Sequence, residues 1–100
     1  MKVTISAQHV APSDQLEQFI NEKLAKLEQF DENIRDAEVV LTLERSNAPN
    51  YESKIVKVKL FGRNSDYFAE KKAKTFEEAT LEVADALRKQ IIKQKDKRKA

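Results

Sequence analysis

The chain has 100 residues, enough for one domain with one core, and its 36% charged and 40% hydrophobic content describes a soluble α+β domain and not a disordered chain. It has no cysteine, which excludes a disulfide framework or a thiolate zinc site, and no apolar stretch of signal-peptide or membrane-spanning length, so a cytoplasmic location is expected. The net charge of +2 hides an asymmetry: from Arg88 onward seven bases face the single acid Asp96, a net +6 that leaves −4 for residues 1–87.

Lys2 to Gln8 alternates apolar Val3, Ile5 and Ala7 with polar residues, the period of a half-buried strand. Pro12 ends it, and Ser13 or Asp14 can cap a helix. Leu16, Phe19, Ile20, Leu24, Leu27 and Phe30 then recur at spacings of three and four, predicting about 18 residues of helix, or about 27 Å, stopped by Asp31-Glu32-Asn33. A second alternation begins near Asp36, with Ala37, Val39, Leu41 and Leu43 in phase, and ends at the turn cluster Ser46-Asn47-Ala48-Pro49-Asn50. A third strand, Tyr51 to Phe61, interleaves Val56, Val58 and Leu60 with Lys57 and Lys59. Gly62 to Asp66 is a second loop, and the lysine-rich fourth strand, Tyr67 to Lys74, has the look of an exposed edge.

Thr75 and Glu78 have capping-box spacing, and Phe76, Thr80, Val83, Leu87 and Ile91 make the inward stripe of a second helix. That pattern holds to about Gln94 and fades into lysine. The expected fold is α+β, in the order β-α-β-β-β-α: a four-stranded sheet with two helices on one face and an antiparallel meander over strands two to four.

Catalysis finds little support. His9, the single histidine, lies at the strand-to-helix junction with no nucleophile or orienting carboxylate at identifiable spacing, and reads as a strand-end residue. The acids Glu77, Glu78, Glu82 and Asp85 are explained by solvation and the helix dipole, and Gly62 stands alone, so no phosphate-cradling loop exists. An enzyme, a metal site and a cofactor are not expected.

The basic end carries more. Lys89 and Lys93 are four residues apart on one helix face, with Arg88 and Lys95 alongside, and a polyanion would relieve their repulsion. From charge alone, a solvated lysine tail and a nucleic-acid ligand are equally good readings. Lys23 and Lys26 lie off the first helix's apolar stripe, flanked by Glu22 and Glu28. Lys54, Lys57, Lys59, Lys71, Lys72 and Lys74 add cations on the sheet, where Lys57 and Lys59 should face open solvent and would suit a reader of RNA backbone or shape. Phe19, Phe30 and Phe76 fall on core stripes, so no base-stacking platform is expected.

Three stretches carry a family resemblance: Ile5-Ser6-Ala7-Gln8-His9-Val10, Lys23-Leu24-Ala25-Lys26-Leu27-Glu28-Gln29-Phe30 and, most of all, Ala84-Asp85-Ala86-Leu87-Arg88-Lys89-Gln90-Ile91-Ile92-Lys93-Gln94-Lys95-Asp96-Lys97. With them, across residues 1–98, the chain resembles the ribosome hibernation promoting factor family, also called ribosome-associated inhibitors, in a short form. It implies a fold similar to double-stranded RNA-binding domains. It also implies binding to the small ribosomal subunit and its ribosomal RNA, in the messenger and transfer RNA channel near the decoding site, so that translation is blocked sterically in stationary phase or stress. By position, the implied RNA contacts are Lys23, Lys26, Arg88, Lys89, Lys93, Lys95, Lys97 and Arg98, with His9 at a polar position that could approach RNA. Residues 1–95 would form the ribosome-binding domain and 96–100 a flexible basic tail. Without the long forms' dimerisation domain, the protein would be a monomer off the ribosome. The fourth strand, Glu70-Lys71-Lys72-Ala73-Lys74, carries lysines where family members often have acids. Two other readings stand beside this one: a general double-stranded RNA-binding module, and a protein-interaction domain whose lysine end is only solvated.

Overall fold

The computed structural model describes the backbone of residues 1–45 and 52–99 and the side chains of 1–45 and 53–95. The turn cluster 46–50, with Tyr51, lies outside the described residues. The elements run β1 (Lys2–Gln8), α1 (Asp14–Ala25), a 3-10 turn (Lys26–Gln29), β2 (Ile34–Arg45), β3 (Glu52–Gly62), β4 (Asp66–Ala73) and α2 (Phe76–Lys99). This is the expected β-α-β-β-β-α order in one sheet, β1-β2-β3-β4. The meander is antiparallel from β2 to β4, while β1 pairs with β2 in parallel, because α1 returns the chain across the sheet between them.

One core holds the molecule together. The phase Ala37, Val39, Leu41 of β2 and Val56, Val58, Leu60 of β3 is buried under both helices. From above come Leu16, Ile20 and Leu24 of α1, and Phe76, Val83, Leu87 and Ile91 of α2. Edge strand β1 contributes Val3, Ile5 and Ala7, which are only half-buried. Thr80 sits within the same stripe, its hydroxyl donating to the Phe76 carbonyl at 2.7 Å, so its burial leaves no polar atom unpaired.

Several details depart from the sequence expectation. The first helix is α-helical for 12 residues and tightens into the 3-10 turn at Lys26, which swings Leu27 into the core and leaves Phe30 half-buried at its rim. Phe19, expected in the core, is half-buried on the helix flank, with the Lys23 ammonium 5.2 Å from its ring centre. β2 starts at Ile34 because a bulge at Arg35 resets its alternation: Ile34 pairs with Gly62 and Asp36 with Phe61, so Ile34 and Ala37 both face the core. Ser13, not Asp14, caps α1, accepting from the Leu16 amide at 3.1 Å; Thr75 caps α2 through the Glu78 amide at 3.1 Å. α2 continues to Lys99, beyond the fading of its apolar stripe. The single glycine is required by a close approach, since a Cβ at Gly62 would collide with the Ser65 carbonyl oxygen in the β3–β4 turn.

A buried polar bond ties the α1–β2 junction to the sheet. Asp31 is 4% exposed; one carboxylate oxygen accepts from the Asn33 amide at 2.9 Å and the other from the Tyr67 hydroxyl at 3.2 Å. Replacing Tyr67 with Phe should cost about 2 kcal/mol, because a buried carboxylate loses a donor and gains nothing. Urea denaturation should report this as a lower midpoint at unchanged slope; an unchanged midpoint would deny the bond its role.

Candidate nucleic-acid interface

The direction of the two helices decides where the cations meet. β1 and β4 both run parallel to β2, and each is followed by a helix that returns over the sheet. α1 and α2 therefore run side by side in the same direction, and their C-terminal halves share one end of the molecule. There Lys23, Lys26 and Arg88 line a single groove of roughly 280 Å³ between the helices. Its apolar lining comes from Leu27, Phe30 and Ala84. Two segments about sixty residues apart in sequence thus meet in one groove.

The other α2 cations spread around the helix. Lys89 is exposed next to the groove, and its ammonium lies 3.0 Å from Asp85; Arg88 donates to the same carboxylate at 2.8 Å. Lys95 stands over the α1–β2 junction beside Glu28, Asp31 and Glu32, and Lys93 flanks the start of β4 with Asp66 and Tyr67. The side chains of Lys97 and Arg98 lie outside the described residues, although the helical backbone includes both. Among the described residues, Lys23, Lys26, Lys93 and Lys95 have no carboxylate within ion-pair distance. Of these, Lys23 lies over the Phe19 ring.

The sheet corrects the expectation of a lysine face. Lys57, Lys59 and Lys72 do point to the open side, but Asp36, Glu38, Glu44 and Glu70 share it. Lys57 pairs with Glu70 and Lys72 with Glu44, each at 3.5 Å, so this face is charge-balanced. Lys54 and Lys71 belong to the opposite phase of their strands. Register explains the outcome: Lys57 of β3 stands opposite Glu70 of β4 and Lys59 opposite Glu38 of β2, so acids face bases across the strands. The open side also carries Phe61, under the Lys59 ammonium at 5.0 Å, and Phe68, 53% exposed. His9, in the left-handed conformation (φ 65°), is exposed at the opposite end of the sheet beside Thr42 and Arg45, away from the basic groove.

Sequence reasoning missed Gln90 and Asp85. The Gln90 side-chain amide donates to the Phe68 carbonyl at 2.7 Å and its oxygen accepts from the Phe68 amide at 3.4 Å, closing the free edge of β4. Among the described residues, Asp85 is the one carboxylate lining the groove. Hydrogen bonds from Arg88, then Lys89, hold its carboxyl below the usual carboxylate range. Its spacing of three and four from two cations was visible in the sequence, but not its position against α1.

Among the described residues no group of three or more His, Cys, Asp or Glu side chains could hold a metal ion, and no helix is long and apolar enough to cross a membrane.

Residues 3–99 match the model of the sigma 54 modulation protein / S30EA ribosomal protein family, and the chain belongs to it. No curated protein sequence matches significantly. Two solved structures share the fold. One is a ribosomal subunit interface protein from Coxiella burnetii, with a TM-score of 0.84 at 18% identity over 96% of this chain and 99% of that one. The other is the N-terminal domain of Thermus thermophilus Protein Y, with a TM-score of 0.77 at 18% identity over 91% and 96%. The resemblance drawn from the sequence pointed to this same group of proteins.

Because Asp85 is ionised more readily in the folded helix than in the unfolded chain, its pairing stabilises the fold above about pH 4 and is lost as pH falls through the lowered folded value. Asp85→Asn should therefore melt below wild type at neutral pH, with the gap closing on acidification. A gap that persists in acid would assign the effect to packing and not to charge.

Proposed function

We propose that this member of the S30EA family is a ribosome hibernation factor. It binds the small ribosomal subunit in the messenger and transfer RNA channel near the decoding site, and stops translation by occupying that space. The observation that carries this is the convergence of Lys23 and Lys26 with Arg88 in one groove, flanked by Lys89, Lys93 and Lys95. Lys97 and Arg98 continue the same helix toward its C-terminus.

The chemistry suits structured RNA held by its phosphates. Lysine and arginine supply point charges and forked donors, and the groove has no polar array for reading base edges. Occlusion needs no reacting group, so a domain without an identifiable catalytic constellation is sufficient. The acidic start of α2, with Glu77 and Glu78 in its first turn, argues against a general duplex-RNA module that would grip RNA through that end. The neutral sheet leaves the paired helix ends as the RNA-facing surface. The work would be done in the cytoplasm, on idle ribosomes.

Replacing Lys23, Lys26 and Arg88 together with Glu should abolish co-sedimentation with small subunits in sucrose gradients while leaving the circular dichroism spectrum unchanged. If about 6 phosphates are engaged, wild-type affinity should fall roughly 10³-fold between about 50 and 200 mM salt. Messenger and transfer RNA should compete for the bound protein. Binding that ignores both salt and competitors would overturn the channel reading, and equal binding to any RNA duplex would replace it with a generic RNA-binding role.

A further inference from the structure

We propose that Asp85 is a built-in competitor for the anion at this groove: in the free protein its carboxylate takes the positions on Arg88 and Lys89 that a phosphate would occupy. The proposal rests on the RNA-binding reading of the same groove. One Asp85 oxygen accepts from the Arg88 guanidinium at 2.8 Å, and the other lies 3.0 Å from the Lys89 ammonium, so each oxygen engages one cation. Carboxylate and phosphate oxygens offer the same kind of acceptor to these donors, and one donor cannot serve both fully at once.

Position makes the carboxylate more than a routine helix pair. Asp85 lines the same groove as Lys23 and Lys26, whose ammonium groups have no ion-pair partner among the described residues. The groove therefore contains two cations from the α1 segment that have no carboxylate partner and one, Arg88, that is committed to Asp85, with Lys89 beside it. A small isolated anion entering it meets a fixed negative charge and gains little. An extended polyanion seats first on Lys23 and Lys26, then draws Arg88 and Lys89 away from Asp85. The residue thus weakens every complex but weakens small and sparse anions most, which makes it a specificity-determining group for long phosphate backbones.

The test compares wild type with Asp85→Asn, which preserves size and removes the charge, for binding to purified small ribosomal subunits between roughly 50 and 200 mM salt. Removing one negative charge about 7 Å from a phosphate in water should tighten binding about threefold per nearby phosphate. The slope of log affinity against log salt should steepen by roughly one as freed cations neutralise RNA. In an Arg88→Gln, Lys89→Gln background the same substitution should leave the salt slope unchanged, because no cation is freed. If wild type binds and D85N binds equally or more weakly, the competitor role is overturned while the groove stands. If neither protein binds subunits, the ribosome reading fails and this proposal fails with it. A purely structural Asp85 would shift melting temperature without changing the salt slope.

Discussion

The parallel run of the two helices is the constraint from which the rest of the molecule follows. Each helix obeys a local electrostatic rule, with acids in its first turn and bases toward its end, because the exposed amides and carbonyls of helix ends carry opposite partial charge. In antiparallel helices these local preferences cancel across the molecule. Here β1 and β4 both deliver the chain to the same end of the sheet, so the preferences add. Asp14, Glu17, Glu77 and Glu78 gather at one pole; Lys23, Lys26 and the α2 cations gather at the other. A choice worth about 0.3–1 kcal/mol at each helix end thus gathers the bases of both helices at one end. Glu28, Asp31 and Glu32 stand beside Lys95 there, so the positive charge is concentrated in the groove between the helices.

The sheet serves this arrangement by staying out of it. Its open face pairs Lys57 with Glu70 and Lys72 with Glu44, and Gln90 occupies the outward amide and carbonyl of Phe68 on edge strand β4. An unprotected edge invites strand addition. Closing it from the basic helix ties the position of α2 to the sheet within one turn of Arg88. The Asp31–Tyr67 bond plays the matching part at the α1 side, fixing the 3-10 turn that carries Lys26. Buried polar bonds of this kind add little net stability when satisfied but are costly when broken, so they hold geometry more than they deepen the well.

Much of this was legible in the sequence, and the reasons are specific. The stripes Leu16-Ile20-Leu24 and Val83-Leu87-Ile91 declare amphipathic helices, and the alternations of β2 and β3 give both their faces and their meander. What could not be read was set by relations between distant segments. Phe19 fits the helical period but falls at the flank, because α1 packs on one side only. The lysines of β3 looked like an RNA platform until register placed Glu70 opposite Lys57, one strand away. Ile34 was missed because a bulge breaks the period-two rule used to find strands. The candidate site followed the same logic: Arg88 to Lys95 stood out as a charge run, but its junction with Lys23 and Lys26 exists only once the crossover topology is known.

That junction also changes the meaning of Asp85. On an isolated helix, a carboxylate three and four residues before two cations is a solubilising pair worth a few tenths of a kcal/mol. Against α1, the same carboxylate stands inside a shared cationic groove and lowers its field. The two roles pull in opposite directions: what stabilises the free helix must be surrendered when a phosphate backbone arrives. Under the proposed function, a domain that must find one RNA channel among abundant cellular polyanions gains from this opposition. Weak contacts repay the exchange poorly, whereas a backbone that reaches every cation at the pole repays it several times over. Selectivity for a long, correctly shaped anion can thus arise without a single base contact, from the placement of one negative charge in a groove lined by three positive ones.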